Sequence, residues 1–219
     1  MDTIILICMF TIILSVLFVT FYLSIHYRKK MDENFKELAS RFGLNFEIPV
    51  KKIWKPYIFN VYPKLNGNYK GLEMQMYNIV RGSGKSQAVY VAVDIQIGNS
   101  SSHTLSIFNE NFFRKFGKMI GIQKDIEIND PEFDGLFIVR SDNAEFAKTI
   151  LSDLVLKNKL IEEKRLFHNG VLKFEHGILH YEDLNKLYNK KEVDKMEARV
   201  KLAVLMSEIL KANLGKKYN

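Results

Sequence analysis

Residues 88–97 read AVYVAVDIQI, and they give the clearest strand signal in the chain. Apolar side chains alternate with a second set at a period of two, which places one set on each face of a sheet. The first set is Val89, Val91, Val93, Ile95 and Ile97, and the second is Tyr90, Ala92, Asp94 and Gln96. The stretch therefore predicts a strand in a sheet with one buried face.

The segments on either side of this strand extend the same pattern. Residues 72–76 alternate Leu and Met with polar side chains, after a hairpin turn at either Asn66–Asn68 or Tyr69–Gly71. Thr104–Phe108 gives another short strand after a polar turn. We expect an antiparallel meander with one face buried.

The remaining segments mix strands and helices. Strands are predicted at Asp125–Ile128 and Leu136–Arg140, and a second hairpin is predicted over Gly170–Tyr181. Helices are predicted at Asp32–Phe42, Asn111–Ile120 and Leu184–Leu214. A further helix carries Phe146 to Val155 and is capped by Asp142 or Asn143. The broad apolar surface of the last helix implies burial against a sheet or a partner interface. Strand runs followed by helices indicate the α+β class, with a mainly antiparallel sheet and packed helices.

The N-terminal segment has the composition of a membrane span. Thr3 to Ile25 contains no charged side chain, and a helix needs roughly 20 apolar residues to cross a bilayer. Its Leu, Ile, Val and Phe residues favour insertion by on the order of 7 kcal/mol. A cleaved signal peptide would need an early positive charge and a cleavage motif. The only early charge is Asp2, and Ser24–Tyr27 is no such motif, so we predict one N-terminal transmembrane helix.

The charges beside this segment predict its orientation. Arg28, Lys29 and Lys30 follow it directly, and the other side carries no Lys or Arg. The positive-inside rule then places the N-terminus outside and the rest in the cytoplasm of the cell, at the inner membrane. Trp54, in the basic stretch KKIWKP, is a further membrane-interface candidate, although such a residue more often plugs into the core. We expect an anchor with a basic flank at 1–30 and a cytoplasmic α+β domain at 31–219, with a candidate subdivision near residue 141.

The net charge and the cysteine content limit the classes of partner and site that we expect. The net charge of +7 is spread along the chain, and part of it belongs to the basic flank. Such a mild excess favours an anionic membrane face and makes nucleic acid an unfavoured partner. The single cysteine, Cys8, lies in the apolar segment, so no intramolecular disulfide and no thiolate metal site is expected.

One motif resembles part of a phosphate-binding loop, namely Gly82-Ser83-Gly84-Lys85-Ser86. The complete motif needs a first glycine where this chain has Ile79, and it needs a helix to follow. A strand follows instead, at residues 88–97. We therefore interpret the glycines as turn residues of a hairpin and predict no nucleotide site.

Three other clusters suggest chemistry and have simpler explanations. The acidic run from Asp130 to Asp134 starts like a calcium loop, but the twelfth position is Ser141 instead of a bidentate Glu.

His168, His176 and His180 lie close in sequence. A turn at His176–Gly177 would place Lys173 opposite His180, which would then face solvent beside that lysine, and this disfavours a metal.

His103 follows three serines, an arrangement that suggests a nucleophile and a base. A catalytic triad depends on geometry, and adjacent residues do not make one. The chain also has no Gly-x-Ser-x-Gly elbow. We interpret the segment as a polar turn, and we predict no catalytic residue, cofactor or metal.

One stretch carries a family resemblance. It is DPEFDGLFIVRSD at 130–142, continuing into Asn143–Leu151, together with the Leu65–Gly71 segment upstream. These residues resemble a group of uncharacterised bacterial proteins that are often membrane-anchored. The resemblance implies a bacterial source and a protein that is not an enzyme, and it implies no catalytic residues.

The hypothesis that fits these features best is a membrane-tethered interaction or accessory domain at the cytoplasmic face. Its partners would be the lipid bilayer and a protein. One alternative is a domain that binds lipid or a small apolar ligand between the sheet and the C-terminal helix, because Phe and Met residues are abundant. A second alternative is an enzyme, for which no reactive residue can be named.

Overall fold

The structure is a computed structural model that describes residues 2–49, 62–98, 103–109, 125–165, 170–184 and 186–216. The helices in these ranges are α1 (Asp2–Phe42), α2 (Pro131–Asp134), α3 (Ala144–Leu151), α4 (Leu154–Glu162) and α5 (Lys190–Lys216). The strands are β1 (Asn45–Glu47), β2 (Lys64–Tyr69), β3 (Leu72–Arg81), β4 (Ala88–Gln96), β5 (Leu105–Asn109), β6 (Phe137–Ser141), β7 (Val171–Glu175) and β8 (Ile178–Leu184). Short 3-10 turns lie at Gly84–Ser86 and Glu163–Arg165.

These strands form one antiparallel sheet in the order β1-β2-β3-β4-β8-β7-β5-β6. Strand β4 lies inside the sheet, paired with β3 on one side and with β8 on the other. The chain is therefore an α+β protein with a long N-terminal apolar helix, as the sequence predicts. The predicted meander is right only for the strands up to β4, because the β7–β8 hairpin is inserted between β4 and β5.

The hydrophobic core lies on one face of the sheet. The alternating side chains Leu72, Met74, Met76, Val91, Val93, Ile95 and Ile97 are buried as predicted, whereas Val89 is only half-buried. Helix α5 packs on this face through Val193, Met196, Val200, Ala203, Val204 and Leu210. The predicted burial of the last helix against the sheet is thus confirmed. The helix begins at Lys190 and not at Leu184, because Leu184 is the last residue of β8.

Helix α1 runs without a break from the apolar segment into the domain. The large apolar side chains between Ile4 and Ile25 are exposed by at least 41%. Beyond Lys30, the side chains of Met31, Phe35, Leu38, Ala39 and Phe42 are buried in the core. One helix is therefore a candidate membrane span at its start and a core element at its end.

The turns and helix ends are set by local hydrogen bonds. Of the two predicted hairpin turns, the second is correct: Lys70 and Gly71 have positive φ, and the Asn68 carboxamide oxygen accepts a bond from the Gly71 amide. Asn143, and not Asp142, caps α3 by accepting from the Phe146 amide. A second cap, at Asp153, starts α4, so the predicted single helix from Phe146 to Val155 is two helices.

Two further expectations differ from the structure or lie outside it. Asp125–Ile128 is not a strand, although the Ile126 amide donates to the Val139 carbonyl. The predicted helix Asn111–Ile120, Trp54 and His168 lie outside the described residues.

Candidate functional site

The predicted interface residues Arg28, Lys29 and Lys30 lie on α1, directly after its exposed apolar segment. Lys29 and Lys30 are exposed, and Arg28 is half-buried. The next turn of the helix already packs in the core through Met31 and Phe35. The cationic residues therefore mark the point at which α1 changes from an exposed apolar helix to a core helix.

The loop between β8 and α5 packs against α1 at this point. The rings of Tyr27 and Tyr188 meet edge to face, with their centroids 5.4 Å apart. The buried Asn34 carboxamide donates to the Leu187 carbonyl over 2.5 Å. We call this part of the domain the entry end, defined by Tyr27, Leu184 and residues 186–191.

Ion pairs extend the contact between α1 and α5 away from the entry end. The Arg41 guanidinium donates to Asp194 over 2.8 Å, to Glu37 over 2.6 Å, and to Glu197. Lys190 pairs with the other oxygen of Glu37. The hydrogen bonds to Lys190 and Arg41 hold the pKa of Glu37 below its usual value, and the bonds to Asp194, Glu197 and Glu37 raise the pKa of Arg41. The two helices are therefore held together by charged side chains as well as by the core.

The entry end is basic. Residues 184–191 read LNKLYNKK, with three lysines and no acidic residue. Lys186 and Lys191 are exposed, and no acidic side chain in the described part of the chain pairs with either. The loop of the β3–β4 hairpin lies at the same end of the strands, because Tyr90 near the start of β4 lies opposite Leu184 at the end of β8. Its loop is the Gly82–Ser86 motif, which joins two strands as the sequence predicts.

A second polar cluster lies on the sheet face opposite the core. The His180 ring is placed between two carboxylates, with Nδ1 2.6 Å from Asp94 Oδ1 and Nε2 3.2 Å from Glu182 Oε2. The Tyr77 hydroxyl donates to the other oxygen of Asp94 over 2.7 Å. Arg81 forms a two-point pair with Glu182, through Nε and Nη2. The five side chains form a continuous string across β3, β4 and β8.

The charges in this string stabilise one another. Burial disfavours charge on His180, but its bonds to Asp94 and Glu182 outweigh that effect and raise its pKa to about 9. Burial likewise opposes the charge on Glu182, yet His180 and Arg81 lower its pKa to about 2. His180 and Tyr77 hold the pKa of Asp94 below its usual value. At neutral pH the cluster is therefore an imidazolium and a guanidinium paired with two carboxylates.

The expectation that His180 faces solvent beside Lys173 is wrong. The register is as predicted, with Lys173 opposite His180 and Glu175 opposite Ile178. His180 nevertheless bonds to Asp94 on the other side, and Lys173 pairs with Glu175 instead. Both ring nitrogens of His180 are engaged, and the two carboxylates flank the ring without converging on a point. Among the described residues no group of three His, Cys, Asp or Glu side chains could hold a metal ion.

A third charged group is buried between β8 and α5. Arg199 Nη1 lies 2.9 Å from Asp183 Oδ2, and both side chains are less than a tenth exposed. The Tyr181 hydroxyl and the Leu184 amide also donate to the Asp183 carboxylate. Burial raises the pKa of Asp183 even with Arg199 beside it. This pair fixes α5 to the sheet from inside the core.

The remaining sequence candidates have structural roles. Asp130 accepts from the Glu132 and Phe133 amides, and Asp134 accepts from the Ile128 and Asp130 amides. Asp130 also pairs with Lys157 on α4. These carboxylates therefore build the turn that starts α2.

His103 has a structural contact of its own. Its ring stacks on Phe146, with centroids 5.0 Å apart. Its Nδ1 lies 3.8 Å from an oxygen of Asp142, the residue before the cap of α3. The imidazole therefore covers the start of α3.

Comparison with known proteins gives a weak structural likeness. No protein-family model matches the chain, and no curated protein is significantly similar to it. A solved structure with a similar shape is the crystal structure of the mycobacterial trehalose monomycolate transport factor A, TtfA. The two chains are 11% identical with a TM-score of 0.49, over 84% of this chain and 96% of that one.

Proposed function

We propose that the chain is a single-pass membrane protein whose α+β domain acts as an interaction or accessory domain at the cytoplasmic face. The N-terminus lies outside, and residues 31–219 lie inside. A bacterial inner membrane is part of the proposal, and it rests on the resemblance of residues 130–151 to membrane-anchored bacterial proteins.

The observation that carries the proposal is the continuity of α1. An apolar helix with exposed side chains from Ile4 to Ile25 is stable in lipid and costly in water. The same helix supplies Phe35 and Leu38 to the core of the domain. A domain built on the end of a membrane helix is held at the membrane surface in a fixed orientation. That suits a protein that presents a surface to a partner in or beside the bilayer.

The charges on α1 support the orientation. Arg28, Lys29 and Lys30 form a cationic turn at the domain side of the apolar segment, and Asp2 is the only charge on the other side. Cationic flanks are retained on the cytoplasmic side during insertion. The domain is therefore assigned to the cytoplasm.

The structure gives less support to the two alternatives. An apolar ligand between the sheet and α5 would need space, but Met76, Val93, Met196 and Val200 fill that layer with 1% exposure or less. An enzyme would need a side chain free to react. The pKa of His180 is raised to about 9, and both of its ring nitrogens are already bonded to carboxylates.

Cysteine labelling tests the anchor and its orientation. Cys8 is replaced by Ser, and a single cysteine is introduced as Asp2→Cys, just before the apolar segment, or as Lys211→Cys. In spheroplasts we expect a membrane-impermeant maleimide to label the first variant, and the second only after permeabilisation. The reverse pattern would overturn the orientation, and release of the chain by alkaline carbonate would overturn the anchor.

Co-purification tests the accessory role. The full chain is crosslinked in membranes, extracted in detergent and compared with a chain in which residues 31–219 are replaced by an unrelated soluble domain. We expect at least one protein to be recovered reproducibly with the natural domain and not with the replacement. Recovery of the same proteins with both chains would contradict the role.

A further inference from the structure

We propose that the entry end binds anionic lipid headgroups through Lys186 and Lys191, together with Lys29 and Lys30. The partner is the anionic phospholipid of the same bilayer that holds α1. The inference rests on the proposed function, because it requires α1 to cross that bilayer. It adds a second membrane contact, made by a loop that lies more than 150 residues after the anchor.

Geometry places the Tyr188 ring of this loop at headgroup level, while the Leu187 carbonyl and Lys190 contact α1 farther from the apolar segment, at Asn34 and Glu37. The apolar segment ends near Ile25, and the Tyr27 ring two residues later contacts Tyr188. A helix rises about 1.5 Å per residue, so Tyr27 lies only about 3 Å beyond the end of that segment. The headgroup region on each side of a bilayer is roughly 5–7 Å thick. Tyr188, which is exposed, therefore lies at the depth that amphipathic tyrosine rings prefer.

The charges of the loop are free to meet the headgroups. Lys190 is engaged by Glu37, further along α1. Lys186 and Lys191 are exposed, and no described acidic side chain pairs with them. Lys29 and Lys30 are exposed on the turn of α1 that follows Tyr27 and are likewise without an acidic partner among the described residues. Four ammonium groups are thus available from two segments separated widely in sequence.

The nearby acidic groups do not cancel this charge. Asp32 is half-buried and within the electrostatic reach of Arg28, and burial raises its pKa. Glu192 pairs with Lys195, one turn further along α5. Glu33 is exposed on α1 below the lysines. Asp183 is within the electrostatic reach of Lys186, but it is buried and already paired with Arg199. Asp32 and Glu33 follow Lys30 on α1 and therefore lie farther along the helix from the apolar segment than Lys29 and Lys30.

The loop is also held rigidly enough to act as a site. The buried Asn34 carboxamide bonds to the Leu187 carbonyl, and Leu187 itself is buried. The Asn189 side chain accepts from the Lys191 amide at the start of α5. Lys186 and Lys191 are consequently presented from fixed backbone positions, which lowers the entropy cost of binding a headgroup.

The test uses the full chain in nanodiscs that contain phosphatidylcholine and phosphatidylglycerol in equal amounts. Native mass spectrometry measures the ratio of the two lipids that stay bound after release from the disc. The variant is Lys186→Gln with Lys191→Gln, and the matched control is Lys148→Gln with Lys211→Gln, which removes the same charge from exposed positions on α3 and α5.

We expect the natural chain and the control to retain phosphatidylglycerol in excess. A lysine near an anionic surface changes partitioning about fivefold, so the double variant should lose most of that excess. An unchanged lipid ratio in the double variant would overturn the proposal, as would an equal loss in the control. Resistance to alkaline carbonate, measured on the cell membranes that contain the same variants, reports the anchor separately. A chain that stays in the membrane but shows no lipid preference refutes this inference and leaves the proposed function standing.

Discussion

The ring of Tyr27 on α1 packs edge to face against the ring of Tyr188, which precedes α5. This contact joins the end of the apolar segment of α1 to a loop near the C-terminal end of the sequence. Beside it, Asn34 bonds to the Leu187 carbonyl, and further along Arg41 bonds to Asp194 and Glu197. The first helix is therefore both the candidate anchor and an integral part of the domain.

This double role predicts where the chain can be shortened. A chain that begins at Tyr27 keeps Met31, Phe35, Leu38 and Phe42, and we expect it to fold as a soluble domain. A chain that begins at Leu44 loses these core side chains and should not fold, since several fully buried residues are removed at once. Circular dichroism with thermal unfolding distinguishes the two. Equal cooperative transitions would show that α1 is only a tether.

A point substitution tests the same packing more gently. Phe35 is fully buried between α1 and the sheet, and Phe35→Ala in the chain that begins at Tyr27 should cost about 3–5 kcal/mol of unfolding free energy. Val155, exposed by 66% on α4, provides the matched control, and Val155→Ala should change that free energy by less than about 0.5 kcal/mol. Urea unfolding measures both. Similar losses for the two variants would contradict the assignment of Phe35 to the core.

The His180 string predicts a loss of stability at alkaline pH. In the folded domain the pKa of His180 is raised above the ordinary 6.5 to about 9. Its stabilising contribution is therefore complete below about pH 6.5 and is lost as the pH rises through 9. The unfolding free energy that His180 contributes, and that is lost at high pH, is of the order of 3 kcal/mol.

Urea unfolding of the domain between pH 6 and pH 10 measures this effect. We expect His180→Gln to remove most of the alkaline decline, because the titrating imidazole is gone. His176→Asn provides the control, since His176 lies exposed at the tip of the β7–β8 turn with positive φ. A decline of the same size in His180→Gln would show that other groups cause it.

The lowered pKa of Glu182 predicts a loss of folding stability at acidic pH. Its pKa is lowered from 4.5 to about 2 by His180 and Arg81, against the effect of burial. The stability it contributes is present above about pH 4.5 and is lost as the pH falls toward 2. Glu182→Gln should therefore be less stable than the natural domain at pH 6 and should approach it near pH 2. Acid unfolding monitored by circular dichroism checks this, and a constant difference at all pH values would contradict it.

The sequence could predict the β7–β8 hairpin and could not predict the partner of His180. The hairpin depends on local chemistry, because His176–Gly177 forms a two-residue turn that fixes the register of its own strands. Asp94 meets His180 across 86 positions, through a pairing of β4 with β8 that no local pattern specifies. The alternation in 88–97 predicts that Asp94 lies on the sheet face opposite the core. His180 lies beside it only because β8 pairs with β4 in the folded sheet.

The continuity of α1 is another feature that the sequence pattern did not predict. The sequence suggested an anchor followed by a separate helix at Asp32–Phe42, because the cationic trio marks a membrane boundary. Lys and Arg are good helix formers, and no Gly or Pro occurs before Gly43. Charge predicts where the helix would leave a lipid bilayer, whereas backbone propensity determines where the helix ends.

The buried pair of Asp183 and Arg199 predicts an asymmetric cost. Loss of Asp183 leaves a buried guanidinium, which cannot deprotonate at any ordinary pH. Loss of Arg199 leaves a carboxyl whose pKa is already raised by burial, so it can become neutral instead. Asp183→Asn should therefore cost about 3–5 kcal/mol of unfolding free energy, and Arg199→Met should cost less.

A double-mutant cycle completes this test. With Asp183→Asn and Arg199→Met combined, no buried charge remains at the site, and we expect a smaller loss than the sum of the two single changes. The exposed pair of Lys159 and Glu162 on α4 serves as the control, since its removal should change stability by less than about 1 kcal/mol. Additive losses at Asp183 and Arg199 would mean that the two side chains act independently. In that case the coupling between the two charges would contribute nothing to holding α5 on the sheet.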